Sequence, residues 1–185
     1  MFTNGFSGTV YAGDKITCEV DGFTLTATIH ADDNLDSPWT REDGHGTVSD
    51  WRASRDKQPG EMIVSTDGRF ARFYDFAEAV KIARRDEWGA PDGTFRPDAT
   101  PTRGQIAAAA AMADFKRLRD WCNDEWTYVG VSVTVAREGV QLVDDFQHAL
   151  WGIESDCPEY LTEVANEYVD AALEDARAVI ARLAA

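Results

Sequence analysis

An α+β domain, in which an antiparallel sheet built from hairpins packs against three helices, is the fold class this 185-residue sequence predicts. Three observations carry that reading. Apolar side chains alternate at every second position in several short runs, two-residue turns containing glycine join those runs, and helical spacing replaces the alternation in three places.

The first hairpin occupies KITCEVDGFTLTATIH, residues 15–30. Ile16, Cys18 and Val20 alternate with polar residues, Asp21-Gly22 tolerates the positive φ of a tight turn, and Phe23, Leu25, Ala27 and Ile29 then alternate with threonines. His30 falls on the threonine face, where solvation is the expectation. SPWTREDGHGTVSDWR, residues 37–52, is too irregular for a helix or a strand and reads as a loop. EMIVST (61–66) and RFARFY (69–74) flank Asp67-Gly68 as a second hairpin.

Asp75 with Glu78 three residues later forms a capping-box pattern and opens a helix over 75–88, with Gly89 at its end. GAPDGTFRPDATP (89–101) reads as an exposed loop or lobe boundary within what is otherwise one domain, 1–185. Thr102 caps a second helix running to Trp126, apolar at Met112, Phe115, Leu118 and Cys122. Lys116, Arg117, Arg119, Asp114, Asp120 and Asp124 take its other faces, which favours an ion-paired solvated surface over a phosphate site. TYVGVSVTVA (127–136) is a strand with four valines on one face, turning at Glu138-Gly139 into a return strand at 140–143 and a further extended piece at 149–154. Asp156, Pro158 and Glu159 open a third helix that continues to 183.

Charge narrows the function classes. The chain has a net charge of −15, with nine acids against two bases in residues 1–50, thirteen of each in 51–136 and eleven against three in 137–185. Such a balance repels nucleic acid and anionic membranes, so neither is an expected partner. The longest apolar stretches fall far short of the roughly 20 residues of a membrane span, and the start of the sequence lacks a secretory pattern. A cytoplasmic protein is expected. Cys18, Cys122 and Cys157 are odd in number and widely spaced, which argues against disulfides. His30, His45 and His148 show no metal-ligand spacing, so neither a metal nor another cofactor is expected.

Two features remain as functional candidates. On a wheel at about 100° per residue, Glu159, Glu163, Glu167, Asp170 and Glu174 fall within about 80°. Leu161, Val164, Tyr168, Val179 and Leu183 lie opposite. Like charges at i and i+4 cost a helix a few tenths of a kcal/mol each, so the column suits either a solvated face or docking onto a basic groove. Imitating a nucleic-acid backbone would need more charge, from Asp32, Asp33, Asp36, Glu42 and Asp43. The second candidate is the loop, where His45 with Asp43 or Asp50 would make an acid–base pair and Trp39 and Trp51 would anchor an interface or clamp the loop onto the core. No GxSxG, Walker or dinucleotide motif accompanies it, so the balance leans away from an enzyme.

DGHGTVSDWR, RFYDFAEAVKIARRDEWG, DFKRLRDWCNDEWTYVGVSVTV and LWGIESDCPEYLTEVANE, taken together and in order, resemble an uncharacterised family of small acidic proteins encoded by bacteriophages and prophage-like elements. The resemblance spans most of residues 37–170. It implies a bacterial host cytoplasm and brings no reaction, cofactor or catalytic residue. The expected function is that of a phage accessory protein acting by protein–protein interaction, an acidic inhibitor or DNA mimic in counter-defence that binds a basic surface of a host nucleic-acid-handling or defence protein. The alternatives are a small enzyme using His45 with a carboxylate, and an acidic structural or assembly protein without mimicry.

Overall fold

The computed structural model describes residues 1–33, 36–41 and 44–184. Antiparallel sheets and helices form an α+β fold, as the alternation and turns require. Where the sequence reads as one domain, the contacts divide the chain into two compact units. Residues 1–35 and 126–185 make the first, and residues 36–125 the second. The Pro/Gly-rich segment 89–101 lies inside the second unit, as an irregular, largely exposed loop and not as a boundary.

The first unit is a sheet with helices on one face. Strands β1 (Lys15–Val20) and β2 (Phe23–Ala31) form the expected hairpin, and Asp21 and Gly22 both take positive φ, 52° and 77°, as a type I′ turn demands. Tyr128–Arg137 pairs antiparallel with β2 and is the sheet's central strand. It is labelled β6, because three strands of the second unit precede it in the chain. Glu138 and Gly139 repeat the positive-φ turn, at 51° and 80°, into β7 (Val140–Gln141), and β8 (Ala149–Glu154) also pairs with β6. Phe23, Leu25, Ala27, Ile29 and the valines at 129, 131, 133 and 135 are buried in one core with Leu161, Val164, Val169, Ala172, Leu173 and Ala176 of the C-terminal helices.

The third predicted helix is two. One segment runs Pro158–Glu167 and the other Val169–Leu183, with Tyr168 between them; neither glycine nor proline marks the break. Pro158 stands at the first helical position as expected, but Cys157 and not Asp156 is the N-cap, and no side chain caps the helix start. Among the apolar positions expected on the buried side, Leu161 and Val164 are buried, whereas Leu183 is 79% exposed.

In the second unit, β3 (Arg52–Ala53), β5 (Phe70–Asp75) and β4 (Glu61–Asp67) form a sheet in that order. Asp67 pairs with Phe70, so the turn is Gly68-Arg69, one residue later than the sequence indicates. Asp75 caps α2 (Phe76–Arg85) by accepting from the Glu78 N–H at 2.9 Å. The helix ends earlier than Gly89. Glu87 takes the left-handed conformation at φ 55°, and the Trp88 N–H closes on the Ala83 carbonyl at 2.9 Å, the hydrogen bond of a Schellman end. Thr102 and Gln105 form a complete capping box on α3 (Arg103–Cys122), which stops short of Trp126. Its Ala107 and Ala110 form a small core with Ala83 of α2, where short side chains let the helices approach closely. Met112 is 44% exposed instead of buried, while Phe115 and Leu118 are in the core.

Candidate functional site

The charge asymmetry follows the two units. Residues 1–35 and 126–185 hold sixteen acids against four bases, a net of −12, and residues 36–125 hold seventeen against fourteen, a net of −3. Glu159, Glu163 and Glu167 on the first C-terminal helix and Asp170 and Glu174 on the second are all exposed, and among the described residues none meets a cation. Five carboxylates at intervals of three or four residues amount to one charge per roughly 5 Å of helix axis, against one per roughly 1.7 Å of duplex DNA.

The acids expected to make up that difference differ in burial and in the unit they belong to. Asp32 is 7% exposed, buried where it continues the path of β2. Asp33 is exposed, Asp36 belongs to the second unit, and Glu42 and Asp43 lie outside the described residues.

The loop at 37–52 contains more structure than its composition indicates. Pro38–Arg41 is one helical turn, labelled α1, and Val48 bridges Tyr74 of β5. Trp39 sits edge-on to Trp121 at 5.5 Å and is half-buried against the second unit's core. The Arg72 guanidinium lies 5.5 Å from the Trp39 ring and 5.2 Å from the Trp51 ring, so one cation ties both tryptophans to β5. Trp51 remains 43% exposed.

His45 has a carboxylate partner that the sequence reading did not name. Its Nδ1 lies 2.6 Å from Asp114 Oδ1, on α3, sixty-nine positions along the chain. The other oxygen of Asp114 accepts from the Gly46 N–H at 2.7 Å and from the Tyr74 hydroxyl at 2.7 Å. Asp50 is exposed, and Asp43 lies outside the described residues. Burial first, and then the hydrogen bond to Asp114 and its charge, holds the Tyr74 phenol far above its ordinary pKa, so it stays protonated and donates. The Asp114 carboxylate is almost fully buried and serves three donors at once, which fixes the loop onto α3. Gly46 is required at this approach. A Cβ there would stand 2.5 Å from the Tyr74 hydroxyl. Ser49, the nearby hydroxyl, donates to the Asp50 carbonyl and accepts from the Phe73 N–H, so it serves the backbone. Sequence reading placed Asp114 on a solvated ion-paired face; tertiary structure turns it inward, and no local pattern marks it.

Two groups in the first unit were not anticipated. His30 is not simply solvated on the threonine face. Its Nε2 is 2.8 Å from Ser132 Oγ, and its ring lies 5.1 Å from Phe146 and 5.9 Å from Trp151. Burial lowers its pKa, opposed by Asp145 and reinforced by Lys15. The register between β6 and β8 shifts between Val129 and Val131, which sets Trp151 over Gly130, where a Cβ would collide with the indole. Glu154, Asp156 and Cys157 form the other group, with ligand atoms within 4.8 Å of one another. A glutamate, an aspartate and a cysteine offer three ligands, one fewer than a closed structural zinc site uses. The three cysteines are free thiols.

No known protein family, curated protein or solved structure matches the chain. The functional argument therefore rests on the geometry. Among the described residues, no helix is long and apolar enough to cross a membrane.

Proposed function

We propose that the protein acts through protein–protein interaction, with the carboxylates of the two C-terminal helices docking onto a basic surface of a bacterial protein that handles nucleic acid. The observation that carries this reading is the concentration of charge: a net −12 in the first unit, with Glu159, Glu163, Glu167, Asp170 and Glu174 exposed on consecutive helices. Like charges at this spacing oppose helix stability by a few tenths of a kcal/mol per pair, a cost that an oppositely charged partner would offset. Their spacing favours an acidic docking face over a full imitation of duplex DNA. The bacteriophage setting, with counter-defence as the process, rests on the resemblance of the four tryptophan-containing strings.

The test is affinity capture from a bacterial lysate at low and high salt. The reading expects a basic nucleic-acid-handling protein that elutes as salt rises and for which DNA competes with the acidic face. Recovery of such a protein by a Glu163→Lys/Glu167→Lys/Asp170→Lys variant as efficiently as by the parent would overturn it.

The 2.6 Å contact of His45 Nδ1 with Asp114 favours a second reading as an enzyme, because a carboxylate holding Nδ1 is how general-base histidines are oriented. The same carboxylate also holds Gly46 and Tyr74, which makes the group a latch for the loop first. A phenotype lost in His45→Ala but kept in His45→Gln would point to the latch.

A further inference from the structure

The margins of the two sheets differ in one respect. β7 and β3 are two residues long, and β8 and β4 each carry an irregularity in their pairing. Short or bulged margins resist pairing with another chain. β1 has neither protection: it pairs with β2 without a break over all six residues, and the sheet order places it at the margin.

The hairpin determines which backbone groups β1 leaves available. A two-residue turn makes Val20 and Phe23 a hydrogen-bonded pair, so Cys18 and Ile16 also face β2 with their N–H and C=O groups. The bond from the Ile29 N–H to the Asp14 carbonyl, 2.9 Å, continues the same parity. The backbone groups of Lys15, Thr17 and Glu19 therefore point away from the sheet, and all three residues are exposed. The N-terminal segment passes beside the start of β1, where Gly5, Phe6, Ser7 and Val10 line a pocket with Asp14, Lys15 and Ile16, but among the described residues it makes no backbone hydrogen bond to the strand. Its N–H groups at Phe2 and Phe6 bond to Asn166 and Thr162, and that of Val10 bonds to the Ser155 carbonyl.

We propose that β1 is a self-complementary edge through which two copies of this chain join their sheets about a twofold axis at Thr17. In that antiparallel register the outward backbone groups of Lys15, Thr17 and Glu19 meet those of Glu19, Thr17 and Lys15 in the second copy. Every outward N–H and C=O finds a partner, and Lys15 stands opposite Glu19 on both sides of the axis. Ile16 and Cys18, half-buried at the margin of the core, face each other across the same junction. A parallel arrangement would set Lys15 beside Lys15. The edge is also neutral within an acidic unit, since Lys15 balances Glu19 and Asp21 is paired with Arg177 at 2.6 Å. The net −15 of each chain repels the other copy over longer range, so added salt strengthens the association.

Analytical ultracentrifugation of the full chain at concentrations up to about 0.5 mM tests this. The proposal expects a reversible dimer, strengthened by salt. Lys15→Glu and Glu19→Lys should each weaken it by about tenfold or more, since each substitution sets two like-charged pairs face to face, and the double variant should regain parental affinity. Thr17→Pro should abolish the dimer while leaving the circular dichroism spectrum unchanged, because the N–H it removes points away from β2. A parent monomeric throughout, a double variant no better than the singles, or a dimer that survives Thr17→Pro in a folded chain would each overturn the proposal.

Discussion

Two glycines, Gly46 and Gly130, approach aromatic rings too closely for a Cβ, yet replacing them with alanine should have unequal consequences. At Gly46 the added carbon would meet the Tyr74 hydroxyl at 2.5 Å and two ring carbons at 2.6 Å. Tyr74 is fully buried and is held by its bond to Asp114, so the ring has nowhere to go. Overpacking a core costs about 1–3 kcal/mol, and displacing a buried hydrogen bond to a charged acceptor about 1.5–3 kcal/mol. Gly46→Ala should therefore destabilise the second unit by about 3 kcal/mol. At Gly130 the obstacle is Trp151, 42% exposed on a marginal strand, which can lean outward. Alanine is also the better strand residue. Gly130→Ala should cost about 1 kcal/mol or less. Urea denaturation of both variants, read by tryptophan fluorescence and by far-ultraviolet circular dichroism, measures the difference. Equal losses, or a loss below about 1 kcal/mol for Gly46→Ala, would refute the idea that Tyr74 is pinned from both sides.

His45→Ala should loosen the segment from Gly44 to Val48 and cost about 1.5–3 kcal/mol by leaving a buried carboxylate short of a donor, seen as faster amide exchange there and in α3. Because burial lowers the His30 pKa, the folded state disfavours its protonation relative to the unfolded chain. The stability it contributes is full above about pH 6.5 and is lost as pH falls through the lower folded value. An NMR titration should place His30 below about 6.5, and His30→Asn should flatten that part of the stability profile. Thr102→Ala, which removes half of a complete capping box, should cost about 1 kcal/mol in the same denaturation assay.

The local features of the fold were readable wherever one short segment decides them. Asp21-Gly22 and Glu138-Gly139 take the positive-φ pairs of tight turns, and Asp75, Thr102 and Pro158 stand where the helices begin. Features set by tertiary contacts were not. Helix α2 ends at Arg85 because Trp88 closes onto Ala83, ahead of the glycine that marked the expected end. The chain's two ends form one unit and its middle another; the charge partition runs parallel to this division, but the pairing of β2 with β6 that joins the ends is a long-range contact no local pattern announces. The carboxylate series was visible because helical spacing places each of its members on an exposed face, although they fall on two helices and not on the one expected. The Asp114 latch was hidden because its donors come from Gly46, Tyr74 and His45, on other elements. Trp151 escaped notice for a related reason, since the shifted register of β8 against β6 sets it over Gly130.

The central claim is that the exposed carboxylates of the C-terminal helices are kept for binding at some cost to stability. Glu163→Gln/Glu167→Gln/Asp170→Asn isolates it, because the variant keeps side-chain size and removes charge from exposed positions. Relief of the like-charge pairs should raise stability at low salt by up to about 1 kcal/mol. The decisive measurement is titration calorimetry of parent and variant against the captured basic partner over a series of salt concentrations. The account predicts that the variant binds at least about tenfold more weakly and with a shallower salt dependence. Equal affinity and equal salt dependence in a variant of raised stability would contradict it.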